Sequence, residues 1–493
     1  MLENDIKKSD SVKKNLSYQL IYQVLILILP LLIAPYLTRT LGDTAIGIYS
    51  YSYSIGQIFV VIANLGIAKY GQRLIAENKE NSTELRKSYW SLFIVHAVVS
   101  IIVFLIYMMF SIFLVKEDKI IFLLQGFYVL SAFFDITWLF YGIEQFKNVV
   151  IKNTFVKIIE FVLIFVFVKN PSDLGIYTTI MAFSVMIGMA IMLPYSFKLV
   201  KPIKVRFEDC RKHIKPLLLL FIASVATLLF TFFDKTLLGI FSTKENVAYY
   251  EYSNKIVLVP RTIATVISSV MYSRACIFIN DNKFEQAKKY REYSFMFVYC
   301  ISFASIFGLL GVGNEFVKLY YGEKFLECNG IIKAMSPTIL IISLADILRT
   351  QILIPIHKDK EYTIITIISA ILNIIVSLIL LPHWGVYGVI VGSILAEGAS
   401  LILINKICNK YNNTFEMLKM MIPFLIFGVI MYGVILILNS IMKYSILNFI
   451  LKIMIGGTIY ITFTMIYLVK FFKYKNELKN MMKDILGKVR KKV

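Results

Sequence analysis

Three ionisable residues lie deep in apolar stretches and have no opposite charge at helical spacing. Arg261 is flanked by Val257, Leu258, Ala264 and Thr265. Asp135 is flanked by Ser131, Ala132, Trp138 and Leu139, and Glu397 by Ser393, Ile394, Ser400 and Leu401. In hydrocarbon such a charge costs at least about 2.5 to 3.5 kcal/mol, so it requires a partner, a path to water or a task. At 1.5 Å per residue from the outer ends of their segments, Arg261 and Glu397 fall about 16 to 18 Å deep and Asp135 about 22 Å.

Two readings follow. In one, two of these charges form an interhelical ion pair that sets packing. In the other, Arg261, with Lys255, Arg39 and Lys235, offers cationic donors to an anionic head group. Asp135 or Glu397 then takes part in ion coupling, with Asp346 as a further acid. Arg39 and Lys235 lie close to the outer edge, where anchoring at the interface is an alternative role. Glu251 with Lys255, Lys157 with Glu160 and Asp346 with Arg349 are spaced three or four apart, which permits local pairing on one helix. Hydroxyls at Tyr49, Tyr51, Ser52, Tyr249, Tyr250 and Tyr252 add hydrogen-bonding and stacking surfaces, or equally an aromatic belt at the interface.

The elements that must hold these residues are membrane spans. The chain has 493 residues, of which 58% are hydrophobic, more apolar surface than a soluble core of that length buries. About fourteen apolar segments, each near the length that crosses 30 Å of hydrocarbon, follow one another; those at 16–37, 153–168 and 216–239 are the first, fifth and seventh. Alternate gaps collect about 37 of the Lys and Arg residues, the opposite gaps about 7 and the spans about 8, which places both termini inside. The net charge of +21 thus flanks spans and suits anionic inner-leaflet lipid; it forms no nucleic-acid motif. The polar segment 1–15 leads into a retained first helix, since that apolar run is too long for a signal peptide.

Two halves resemble each other. Arg39-Thr-Leu-Gly42 followed by Gly47-Ile-Tyr-Ser-Tyr-Ser52 is matched by Lys235-Thr-Leu-Leu-Gly239 followed by Ala248-Tyr-Tyr-Glu-Tyr-Ser253, each placing a cation and a Leu-Gly turn at the outer face. Phe134-Asp135-Ile136 and Ala345-Asp346-Ile347 correspond in the same way. Both halves start from the same side, so the pattern is a parallel repeat of six plus six helices. The expected organisation is an all-α polytopic membrane protein. Helices 1–6 occupy residues 1–200, a basic cytoplasmic linker 201–215, helices 7–12 residues 216–410, two further helices 411–468, and a basic amphipathic tail 469–493. Prolines at 30, 35, 260, 337, 355 and 423 fall inside spans, where they remove donors and bend helices.

Other chemistry is disfavoured. Five cysteines and four histidines show neither disulfide nor metal-ligand spacing. Phosphate loops, nucleophile elbows and HExxH are missing, so no cofactor and no catalytic residue are expected and the chain reads as a non-enzyme. Outer gaps are short turns apart from the stretch around 320–330, leaving no room for an extracytoplasmic catalytic domain such as a polysaccharide polymerase would carry.

The ordered set Pro35-Tyr-Leu-Thr-Arg39-Thr-Leu-Gly42, Gly47-Ile-Tyr49, Leu65-Gly66-Ile67, Tyr70-Gly71-Gln-Arg73, Trp138-Leu-Phe-Tyr-Gly142-Ile-Glu144-Gln-Phe146, Asp234-Lys235-Thr-Leu-Leu-Gly239 and Ile354-Pro355-Ile-His-Lys358, with Asn373, resembles the Wzx-type oligosaccharide flippases, the polysaccharide-transport branch of the multidrug/oligosaccharidyl-lipid/polysaccharide exporter superfamily. The resemblance implies two six-helix lobes around a central cavity plus two C-terminal helices. It also implies a substrate, an undecaprenyl-diphosphate-linked oligosaccharide moved from the inner to the outer leaflet of a bacterial plasma membrane for O-antigen, capsular or exopolysaccharide synthesis. Polymerase and glycosyltransferases are its implied partners. Many relatives carry proline near the inner end of the eighth span, where this chain reads Met271-Tyr-Ser-Arg274. A multidrug-type cation antiporter and a peptidoglycan lipid II flippase are the rival readings. Arg261 and the last two helices argue against the antiporter.

Overall fold

Backbone amides and carbonyls inside a bilayer must be satisfied within the chain, and continuous helices achieve that for single segments. The computed structural model describes residues 12–470, with side chains from residue 25 onward save a stretch between 222 and 231, and the regular elements described are all helical. The expected basic tail beyond Lys470 lies outside the described residues. Eleven of the described helices are long and apolar enough to cross a membrane, so the chain is a multi-pass membrane protein. The expected spans at 16–37, 153–168 and 216–239 correspond to the helices Val12–Thr40, Phe146–Phe167 and Phe207–Phe241, which are not among those eleven. Phe146–Phe167 carries Lys147, Lys152, Lys157 and Glu160 along its length.

The chain divides into two compact units. One runs to Glu251 and takes in Ile374–Val389; the other comprises Tyr252–Asn373 and the chain from Ile390 onward. In the first unit Tyr89, Leu92, Trp138, Leu139 and Phe140 form a buried core between the helices that follow Leu65. In the second, Phe295, Tyr299, Phe424, Ile435 and Tyr460 pack the Phe284–Tyr320, Thr414–Ile441 and Ile446–Lys470 helices together. Large side chains on outward faces, among them Leu105, Phe155, Ile379 and Ile437, are half-exposed or more, as a lipid-covered surface requires.

Several helices end by identifiable chemistry. Asn81 and Asn413 each accept two backbone N–H groups at the start of Ser82–Met109 and Thr414–Ile441. The Gly42–Asn64 helix stops at Leu65 and Gly66, which take φ of 43° and 77° and turn the chain into Ile67–Asn78. Of the prolines expected to bend spans, Pro30, Pro35, Pro260 and Pro423 do lie within helices. Pro337 lies inside the span Glu327–Leu353, where the helix is interrupted and it takes the first position of Pro337–Leu348, and Pro355 lies in the turn beyond Leu353. Gly239 also departs from expectation. It lies inside Phe207–Phe241 rather than at a turn, and a Cβ there would fall 1.8 Å from Cδ2 of Tyr51, so a bare backbone is what lets that helix meet Gly42–Asn64.

Asp135 and Asp346 both coincide with irregular helix. The Lys119–Leu130 helix tightens to a 3₁₀ turn at Ser131–Phe134 and breaks at Asp135 before Thr137–Gly142 begins. Pro337–Leu348 widens after Asp346 into a π-helical turn at Arg349–Leu353. Each segment then closes in the same way. The N–H of Gln145 bonds the carbonyl of Phe140 at 2.8 Å, with Glu144 at φ 61°, and the N–H of Lys358 bonds that of Leu353 at 3.0 Å, with His357 at φ 59°. Both are six-to-one caps with a non-glycine residue in the left-handed region.

Candidate functional site

The polar interior of the first unit is built from Gly42–Asn64, Lys119–Leu130, Phe146–Phe167, Leu174–Ala190, Phe207–Phe241 and the start of Lys244–Asn280. Lys235, 6% exposed, places Nζ 2.9 Å from Oε2 of Glu251 and 5.1 Å from the ring centre of Phe232. Next to it Tyr250 donates to Oδ2 of Asp234 at 2.6 Å. Toward the helix ends, Tyr249 donates to Asp43 at 2.8 Å and Thr44 to Glu245 at 2.6 Å. These bonds join the two motifs that correspond in sequence, the one around Asp43 to Tyr49 and the one around Asp234 to Tyr250.

A tyrosine group lies within electrostatic reach of Glu251. Tyr49 stacks on Tyr53 with ring centres 5.7 Å apart and meets Tyr177 edge-on at 4.7 Å; Tyr53 leans on Tyr128 at 5.1 Å. Gln57 donates to the hydroxyl of Tyr53 at 2.7 Å and also to that of Tyr128. Glu251 acts electrostatically on Tyr53 and Tyr177, and Glu160 on Tyr49 and Tyr177. Glu160 is itself buried and held by Lys157 at 2.8 Å. The ensemble offers hydroxyls, an amide and aromatic faces around carboxylates that are each matched by an ammonium. Such a surface suits sugar rings, whose hydroxyls need bonding partners and whose apolar faces stack on aromatics.

Asp135 is the centre of a second group. Spacing on a continuous helix left it without a partner, but the break supplies one: both the N–H of Thr137, at 3.0 Å, and its hydroxyl, at 2.6 Å, bond Oδ1. A residue two positions on can do this only where the backbone leaves the helix. His96, Lys152, Tyr128 and Tyr141 lie within its electrostatic reach. His96 is 2% exposed and shows no hydrogen-bond partner for either ring nitrogen among the described residues.

The residues singled out from sequence are therefore distributed. Lys235, Tyr250 and Tyr49 share the first unit's interior. Arg39 is exposed on its own helix, donating to the carbonyl of Pro35 at 2.8 Å. Lys255, Arg261, Asp346 and Glu397 belong to the second unit and are half-buried. There Lys255 holds Nζ 4.2 Å from the ring centre of Tyr252, and Arg349 pairs with Asp346 and donates to Tyr362 at 3.2 Å. Gln57, Tyr53, Tyr128, Tyr177 and His96 were not singled out. Their period along Gly42–Asn64 places Tyr49, Tyr53 and Gln57 on one face, a signal present in the sequence.

The described residues form an all-helical, multi-pass membrane architecture with ion pairs and hydroxyls enclosed among its helices. Residues 12–272, more than half of the chain, match the family described as polysaccharide biosynthesis protein, and the chain belongs to that family. Among its relatives are two chains named as O-antigen transporters. One, from Shigella dysenteriae, is 24% identical over 78% of this chain and 97% of its own length; the other, from Escherichia coli, is 22% identical over 74% and 89%. The fold is similar to that of the lipid II flippase MurJ in an inward closed conformation. The TM-score is 0.74 at 17% identity, covering 92% of this chain and 98% of that one.

Proposed function

We propose that this protein is a flippase that moves an undecaprenyl-diphosphate-linked oligosaccharide from the inner to the outer leaflet of a bacterial plasma membrane, exposing one binding site to each leaflet in turn. The observation that carries this reading is the enclosed group of Tyr49, Tyr53, Gln57, Tyr128 and Tyr177 beside the Lys235–Glu251 pair, in a chain of the polysaccharide biosynthesis family. Sugar and diphosphate lose hydration in hydrocarbon and need replacement partners, and hydroxyls, amides and ammonium groups supply them. Arg261, Lys255, Lys235 and Arg39 serve the diphosphate in this scheme; Asp135, Asp346 and Glu397 are the acids available for ion coupling.

Fourteen spans with both termini inside complete the proposal, with residues 1–200 and 216–410 as corresponding lobes. The matching irregularities at Asp135 and Asp346, and the matching caps at Glu144 and His357, support the repeat, because interrupted helices at corresponding positions mark the working segments of repeat-built transporters. The product would feed a polymerase and glycosyltransferases of O-antigen, capsular or exopolysaccharide synthesis. Deleting the gene and locating lipid-linked oligosaccharide by leaflet tests the reading. Accumulation on the inner face supports it; normal flipping with unpolymerised units outside overturns it.

A further inference from the structure

A cavity of about 580 Å³ opens in the second unit, away from every residue assigned above. It lies where Lys244–Asn280 ends, where Phe284–Tyr320 begins and where residues 409–413 lead into Thr414–Ile441. Lys288, Arg291 and Lys410 line it, and Glu285 is the one carboxylate among the lining residues. Arg291 is 3% exposed and donates to the carbonyl of Tyr411, which fixes the guanidinium and uses one of its five donors. Lys288 pairs with Glu416 at 2.9 Å. Asn413 spends its side-chain oxygen on the cap of the next helix, which leaves its NH₂ as a donor. Ile279 and Phe284 contribute an apolar wall.

We propose that this cavity binds the phosphate head group of an anionic phospholipid, on the side of the membrane faced by the basic gaps. Charge favours an anion, and a planar guanidinium held by the backbone is suited to phosphate oxygens. Size favours a head group with its glycerol over a bare ion, since the volume falls among pockets for whole small molecules. Position favours lipid: the cavity sits at the ends of spans, with hydrocarbon-compatible residues beside the cations, as at basic head-group pockets between membrane helices. A lipid seated there ties residues 409–413, and so the last two helices, to Phe284–Tyr320.

The test uses the full-length chain purified in detergent, titrated with phosphatidylglycerol and followed by native mass spectrometry. Wild-type protein is expected to retain one phosphatidylglycerol that neither phosphatidylcholine nor millimolar inorganic phosphate displaces. Lys410 is exposed, so Lys410→Gln leaves the fold intact and should weaken that binding about fivefold. Arg291→Gln should abolish it, and Lys204→Gln, at an exposed lysine outside the cavity, should change nothing. Should Arg291→Gln prove aggregated by size-exclusion chromatography, Lys410→Gln decides. Equal binding by Lys410→Gln and wild type, equal retention of phosphatidylcholine, or displacement by inorganic phosphate each overturns the proposal, the last by assigning the site to a soluble anion.

Discussion

Nζ of Lys452 lies 2.6 Å from Oε1 of Glu315, joining Ile446–Lys470 to Phe284–Tyr320 through a lysine with no exposed side-chain surface. The other oxygen of Glu315 is buried with no partner among the described residues. Removing one partner of such a pair strands a charge, at a cost of about 3 to 5 kcal/mol, whereas replacing both by apolar or neutral groups of similar shape is often neutral. Lys452→Met alone should therefore lower the melting temperature in detergent sharply, and Lys452→Met with Glu315→Gln should recover most of the loss. A Lys452→Met variant that melts at the wild-type temperature would show that the pair contributes nothing.

The contact between Gly239 and Tyr51 makes a second prediction. With a Cβ due 1.8 Å from a ring carbon, Gly239→Ala forces the Tyr51 ring or the helix to move, and overpacking of this kind costs about 1 to 3 kcal/mol. Gly239→Ala combined with Tyr51→Ala should melt higher than Gly239→Ala alone, because the smaller partner removes the clash. No recovery in the double variant would place the strain elsewhere.

His357 ends its segment at φ 59°, a conformation that costs an L-residue with a Cβ about 1 to 2 kcal/mol. It is exposed, so little packing opposes change. His357→Gly should leave stability unchanged or raise it, and His357→Val, branched at Cβ, should lower the melting temperature. A valine variant as stable as wild type would mean that the six-to-one cap to Leu353 does not govern this boundary.

How much of this was legible beforehand depends on range along the chain. Apolar runs near twenty residues announce spans directly, and pairs three apart, such as Lys157 with Glu160 and Asp346 with Arg349, are visible because one helix turn brings them together. Lys452 and Glu315 are 137 residues apart, and their meeting depends on how two helices rotate against each other, which no local pattern encodes. The break at Asp135 was equally hidden: Phe133-Phe134-Asp135-Ile136 contains neither Gly nor Pro, and the interruption is held by Thr137 bonding the carboxylate. Gly239 misled in the opposite direction, since a glycine after Leu-Leu reads as a turn and here serves helix approach.

Arg261 is one of the four cations assigned to the diphosphate in the proposed scheme. Arg261→Lys keeps the charge and loses the planar fork, and Arg261→Ala loses both. Transport of lipid-linked oligosaccharide should fall much further in the alanine variant than in the lysine variant, with membrane levels of both unchanged. Full activity of Arg261→Ala would remove this residue from the mechanism.

Lys235 and Glu251 allow structure and transport to be separated. Lys235→Met leaves Glu251, whose side chain is 18% exposed, without that ammonium, so a loss of activity in this variant could reflect instability of about 3 to 5 kcal/mol as well as a missing cation. Lys235→Met with Glu251→Gln removes the charge of both and keeps similar volumes, and should melt close to wild type. If Lys235 contacts the head group, this double variant still transports at least about tenfold more slowly, because a charge-assisted bond to phosphate is worth roughly 1.5 to 3 kcal/mol. Lys235→Arg should retain both fold and a measurable rate. A double variant with wild-type melting and wild-type transport would make the pair a packing device and remove Lys235 from head-group binding.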